Sequence, residues 1–225
     1  KPRSYISTID SKFKFLLNLN TSLEGQVAAV ADDIAYLTHD FDDGLNAGIL
    51  KINQIEDLPI ITKILKDIIS NSKNITDQIL THEFVRKLVS ILVNDIIINT
   101  KKNLNKFDIH NVDSVRLNSE ILVSFSKETL IELKIIREFL LKKMWRHPKV
   151  ENSKKLGKQV IAELFDLFFD KPNELEKLQA LQDRSVFTPN NDIELARVIT
   201  DKISSLTDRN ALEIHKNYFK SSYIL

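Results

Sequence analysis

The sequence contains no cysteine and few of the residues that turn a chain. Without cysteine, disulfide scaffolds, thiolate metal sites and cysteine nucleophiles are excluded, and the chain is compatible with a reducing cytoplasm. Four glycines and five prolines occur in 225 residues, whereas the two together make up roughly 12% of an average protein. β-Sandwich, β-barrel and Rossmann-type folds need more turn glycines than this, so these classes are not expected.

Charge of one sign and long apolar runs are also missing. The 32 basic residues nearly cancel the 31 acidic ones, for a net charge of +1, so no overall field attracts nucleic acid or an anionic membrane. The longest aliphatic stretch, Ile91 to Ile98, is interrupted by Asn94 and Asp95 and is far shorter than the roughly 18 residues of a membrane span. We expect neither a membrane nor a nucleic-acid partner. The first residues lack the apolar run of a signal peptide, and the missing initiator methionine suggests a processed or partial chain.

Apolar residues recur at helical spacing over most of the length, which predicts an all-α protein. The segment 101–119 is polar and mixed, with room for a short strand or an irregular loop around 113–117. We predict two regions, 1–100 and 101–225. The predicted helices cover 22–43, 59–70, 77–100, 127–146, 150–169, 174–183 and 192–219, the last as one helix or a kinked pair.

Local signals mark the ends of several predicted helices. Thr21 and Glu24 form the pattern of a capping box at the start of the first long helix, and Gly44 and Gly48 then allow the chain to leave it. Thr207 precedes an acidic residue and is predicted to cap a helix rather than to act in catalysis.

The helix 22–43 has two different faces. On a wheel of 100° per residue its acidic side carries Asp32, Tyr36, His39, Asp40 and Asp43, and the opposite side carries the predicted core residues Val27, Val30, Ile34, Leu37 and Phe41. The acidic side either faces water or forms a site.

The small residues Gly25, Ala28 and Ala29 share this side and favour close packing over solvation. Carboxylates grouped on a partly covered face repel one another and call for a cation or a hydrogen-bonding ligand. A hard divalent metal, with phosphate as the other natural partner, is one reasonable candidate.

Three ordered stretches resemble the bacterial deoxyguanosinetriphosphate triphosphohydrolase-like proteins, which are members of the HD-domain phosphohydrolases. They are EGQVAAVADDIAYLTHDFDDGLNAG at Glu24 to Gly48, VRKLVSILVNDII at Val85 to Ile97, and ARVITDKISSLTDRNALEIHKNYF at Ala196 to Phe219. The resemblance implies an irregular helical bundle of the HD type. It also implies hydrolysis of a dNTP, such as dGTP, to deoxynucleoside and tripolyphosphate.

The resemblance assigns roles to residues of the acidic side. Asp32 matches a ligand of the family's divalent metal, Mg²⁺ or Mn²⁺, and Tyr36 and Asp40 match the pair that holds the deoxyribose and its 3′-hydroxyl. Asp33 lies next to the ligand position. His39 and Arg86 are weaker candidates: His39 lies beside the acids, and Arg86 could reach a triphosphate or simply form a helix-surface ion pair.

The family's other metal ligands, one histidine and a His-Asp pair, and its catalytic groups lie upstream of this helix. Only 31 residues precede Asp32, and none of them is histidine. The chain therefore resembles the C-terminal half of the enzyme, which would need an N-terminal half as partner and is expected to be inactive alone. A homo-oligomer is also expected. The alternative is a non-catalytic helical assembly or interaction module derived from the same family.

Overall fold

A computed structural model describes residues 9–13, 15, 17–71, 75–175 and 191–220, and the statements below concern these residues. They contain no β-strand, so the all-α prediction is confirmed. In chain order the α-helices named here are α1 (Leu23–Asn46), α2 (Ile52–Ile55), α3 (Ile61–Asn71), α4 (Asp77–Lys106), α5 (Val112–Leu117), α6 (Lys127–Leu140), α7 (Pro148–Asp170), α8 (Asp192–Ser204) and α9 (Asp208–Phe219). A five-residue π-helix, Leu141–Trp145, continues α6.

The segment 101–119 differs from its prediction. Helix α4 continues to Lys106, and residues 112–117 form a short helix rather than a strand or loop. The Asn111 side chain starts this helix, since its carbonyl oxygen accepts a hydrogen bond of 2.9 Å from the amide of Ser114. Most of the predicted helix 174–183 lies outside the described residues.

The chain divides into two compact units, Lys1–Trp145 and Arg146–Leu225. The predicted boundary at residue 100 instead falls inside α4. A continuous helix whose buried residues share one core cannot be divided there, which explains the difference.

The core of the first unit forms where α1 packs against α4. The rings of Phe41 and Phe84 meet edge to face, with centroids 5.5 Å apart, and both side chains are fully buried. The predicted core positions of α4 at intervals of four residues, Phe84, Leu88, Leu92 and Ile96, are all buried. This packing fixes which side of α1 faces inward and therefore which side remains accessible.

The start of α1 is capped by Ser22 and not by Thr21. The Ser22 hydroxyl accepts a hydrogen bond from the Gly25 amide at 3.4 Å. A β-carbon on Gly25 would lie 2.3 Å from the Thr21 hydroxyl oxygen, so glycine leaves the space that the Thr21 side chain occupies.

A buried glutamine joins α1 to the segment before α6. The Gln26 side-chain oxygen accepts hydrogen bonds from the backbone amides of Leu122 and Val123 at 2.9 and 3.1 Å. Asp95 of α4 then accepts from the amide and hydroxyl of Ser126, the residue that caps α6. These contacts fix the start of α6 to both α1 and α4.

In the second unit, α7 packs against α8 and α9. Its core contains Leu164, Phe168 and Ile199, and the buried His215 of α9 hydrogen-bonds to the Glu163 carboxylate of α7. The predicted helix 192–219 is a pair of helices, and Thr207 caps the second of them as predicted, accepting from the Asn210 amide at 3.3 Å.

None of the described helices combines the length and apolar character that crossing a membrane requires.

Substituting alanine at two helical glycines should change the stability of the protein in opposite directions. Gly44 lies inside α1, and a β-carbon there would lie 2.7 and 2.9 Å from two atoms of the buried Leu50 side chain, whereas a β-carbon on Gly157 of α7 meets nothing within 4 Å. We expect Gly44→Ala to lower the free energy of unfolding by about 1–2 kcal/mol through overpacking. Gly157→Ala should raise it by about 0.5–1 kcal/mol through helix propensity.

Urea unfolding followed by far-UV circular dichroism measures both changes. A Gly44→Ala protein as stable as the parent would contradict the tight approach of Leu50 to α1.

Candidate functional site

Helix α1 presents its acidic side outward in the first unit. Asp32, Asp33 and Tyr36 are exposed, with Tyr36 at 67%, while Asp40 is half-buried. On the opposite side Ile34, Leu37 and Phe41 are buried, which confirms the predicted division between the two faces at these positions. Val27 differs from its core prediction, since 51% of it is exposed.

Two side chains that lie near the C-terminal end of the first unit in sequence complete a cleft on this face of α1. Arg137 of α6 and Trp145 of the π-helix lie against Asp33, Tyr36, Leu37 and Asp40, and together they line a space of ≈ 380 Å³. The Arg137 guanidinium lies 3.6 Å from the Asp33 carboxylate, and both side chains remain about half exposed. The cleft therefore combines two aromatic rings, a cation and two carboxylates within residues of one unit.

Asp40 is the most constrained acid of the cleft. Its Oδ2 accepts a hydrogen bond of 2.7 Å from the indole Nε1–H of Trp145. Burial raises the pKa of the Asp40 carboxyl above its ordinary value; the Trp145 hydrogen bond opposes this increase, the Asp43 carboxylate adds to it, and His39 opposes it. Asp40 is thus a partly desolvated acceptor with one oxygen already held.

The described residues do not by themselves form a metal site. Asp32 is exposed, and no three histidine, cysteine or acidic side chains among the residues that the structure describes lie close enough to hold a metal ion. A single carboxylate binds a divalent cation weakly. The described part of the chain can supply at most part of the site that the resemblance implies.

The weaker candidates differ in position. Asp33 lines the cleft, and His39 is exposed on the same helix next to Asp40. Arg86 is not part of the cleft: it pairs with Glu83 on the surface of α4, with 2.6 Å between guanidinium nitrogen and carboxylate oxygen. The structure therefore provides the helix-surface ion pair that was the alternative for Arg86.

The sequence alone does not identify Arg137 and Trp145 as residues of the cleft. Trp145 follows Asp40 by 105 positions, and nothing in the local pattern connects the two. The one available signal was that Trp145 is the only tryptophan of the chain and stands at the end of a long amphipathic helix.

Part of the chain matches a known family model. Residues 123–217, which include α6 and the π-helix, match the phosphohydrolase-associated domain. The chain is thus all-helical over the residues that the structure describes, and it carries a match to a phosphohydrolase-associated domain.

Curated proteins similar to this chain share one name. The chain is 35% identical, over 96% of its length, to a deoxyguanosinetriphosphate triphosphohydrolase-like protein of Caulobacter sp. (strain K31), of which it covers 54%. It is 31% identical, over 98% of its length, to the protein of the same name from Rickettsia rickettsii (strain Iowa), of which it covers 56%. The chain is a homologue of the deoxyguanosinetriphosphate triphosphohydrolase-like proteins, so the predicted resemblance is confirmed. It spans about half the length of the curated relatives it matches.

Proposed function

We propose that this chain supplies the C-terminal half of a dNTP triphosphohydrolase and that its cleft binds the deoxyribose of the substrate. Tyr36 and Asp40, the residues that the family resemblance assigns to the sugar, line one cleft together, and this is the observation that carries the proposal. The relatives' name, deoxyguanosinetriphosphate triphosphohydrolase-like protein, supports dGTP or a similar dNTP as substrate. The products would be the deoxynucleoside and tripolyphosphate.

The side chains of the cleft suit a nucleoside. The ionised Asp40 carboxylate can only accept hydrogen bonds, so it selects a donor such as a sugar hydroxyl. The exposed Tyr36 ring offers a flat face on which a sugar can pack. Arg137 brings a cation with several fixed donors to the same cleft, and these donors suit acceptors on a base or a phosphate.

The remaining metal ligands are also part of the proposal, whether they lie on the same polypeptide or on another. We propose that Asp32 contributes one ligand to a divalent-metal site, with Mg²⁺ or Mn²⁺ as the candidates, and that an N-terminal half supplies the other ligands. Helix α4 exposes several aliphatic side chains, which such a half could cover. Ile91, Val93, Ile97 and Ile98 are 39–55% exposed. A homo-oligomer and a cytoplasmic location remain predictions from the sequence.

Reconstitution tests this proposal. The purified chain is incubated with dGTP and Mn²⁺, alone and together with an N-terminal half supplied as a second polypeptide, and tripolyphosphate is assayed. We expect no hydrolysis by the chain alone, because the described residues bring no complete metal site, and hydrolysis once the second polypeptide is present.

Absence of tripolyphosphate in both reactions, with the second polypeptide folded and bound, would contradict the proposal. That result would favour the non-catalytic assembly module instead.

A further inference from the structure

A specific hydrogen bond holds the Trp145 side chain against Asp40, in addition to the packing of its ring. The donor–acceptor distance of 2.7 Å is short for an N–H donor and is in the range of bonds to an ionised acceptor. Trp145 is half-buried and packs against the core of the first unit. Since an indole has only one donor and no acceptor, this contact uses the whole hydrogen-bonding capacity of the Trp145 ring.

The contact determines how Asp40 can meet a ligand. A free aspartate side chain rotates among several orientations, and fixing a side chain costs conformational entropy when a ligand binds. Here the indole occupies Oδ2, and no hydrogen bond from the described residues reaches Oδ1. The carboxylate is therefore held in one orientation, with Oδ1 as the oxygen that remains for an incoming donor.

We propose that Trp145 is a positioning residue that orients the Asp40 carboxylate for the hydroxyl of a nucleoside sugar. This inference deepens the proposed function and rests on it, because it concerns the same cleft. Trp145 acts through Asp40. The indole N–H donates a hydrogen bond to the Asp40 carboxylate, and the indole ring excludes water from that side of Asp40. The π-helix Leu141–Trp145 places the indole there, in keeping with the frequent use of π-helical turns at functional sites.

The contact itself is tested by NMR without any ligand. Because Trp145 is the only tryptophan, the isotope-labelled protein gives a single indole N–H signal. We expect Asp40→Asn to shift this signal, since a neutral amide accepts a weaker hydrogen bond than a carboxylate. The matched control is Asp42→Asn, which removes the same charge two residues away, where the carboxylate accepts from Asn46. Equal shifts in the two variants would overturn the inference.

A double-mutant cycle tests the positioning role. Trp145→Phe keeps an aromatic ring but removes the donor, and deoxyguanosine binding is measured by ligand-observed NMR in the parent chain, Trp145→Phe, Asp40→Asn and the double variant. Far-UV circular dichroism confirms that each variant is folded. We expect Trp145→Phe to weaken binding about tenfold and to have no further effect once Asp40 is asparagine.

The possible outcomes separate the two proposals. Additive effects of the two substitutions, or a Trp145→Phe affinity equal to the parent's, would overturn the positioning role and leave the sugar site in place. No binding of deoxyguanosine by the parent chain would overturn the sugar site and, with it, the inference that rests on it. The cleft is formed wholly by residues of the first unit, so the purified chain is the appropriate protein for both measurements.

Discussion

Asp32→Ala is expected to abolish dGTP hydrolysis by the reconstituted enzyme, with a loss of at least about 100-fold, and to leave the fold intact. The proposed hydrolysis depends on the bound metal, and removing one of its ligands weakens or abolishes metal binding. The stability is unaffected because Asp32 is exposed and makes no hydrogen bond or ion pair with the described residues. Changes at such surface positions are usually within about 0.5 kcal/mol. Initial rates of tripolyphosphate release test the predicted loss of activity, and the thermal midpoint tests the unchanged stability, both measured against the parent.

Asp42→Ala is the matched control for this prediction. It removes a carboxylate from the same helix at a position that does not line the cleft, and its bond to Asn46 lies on the surface. We expect near-parental turnover from this variant. Parental turnover from Asp32→Ala as well would contradict the assignment of Asp32 as a metal ligand.

The sequence was most informative where local patterns decide the structure. The 3.6-residue period of α1 correctly separated Ile34, Leu37 and Phe41 from the acidic residues, because one side of the helix must face a core. The spacing of four residues in α4 predicted its buried positions for the same reason. Capping was less certain: Thr21 and Ser22 are adjacent hydroxyl residues, and the choice between them depends on backbone geometry that the sequence does not encode locally.

The rest of the cleft depends on contacts between distant residues. Arg137 and Trp145 reach α1 because Gln26 holds the segment before α6 and Asp95 holds the cap of α6. Each of these contacts is made by an ordinary polar residue, and no periodic pattern distinguishes it. The sequence could therefore predict which face of α1 is accessible. Through the family resemblance it also proposes Tyr36 and Asp40 as sugar contacts, but it does not predict the side chains that line the cleft with them.

We propose that Asp40 holds the 3′-hydroxyl of a deoxynucleoside, and a comparison of two ligands on the purified chain tests this role. Deoxyguanosine and 2′,3′-dideoxyguanosine differ only in that hydroxyl. A hydrogen bond to a charged acceptor contributes about 1.5–3 kcal/mol, so the parent chain should bind deoxyguanosine roughly 10- to 100-fold more tightly than the dideoxy compound. The Asp40→Asn variant should lose most of this preference, while Asp42→Asn should retain it.

The decisive measurement is thus the ratio of the two dissociation constants in the parent and in Asp40→Asn, obtained by ligand-observed NMR at neutral pH. We expect a large ratio in the parent that falls towards one in Asp40→Asn. A parent chain that binds both nucleosides equally, or a preference that Asp40→Asn leaves unchanged, would contradict it.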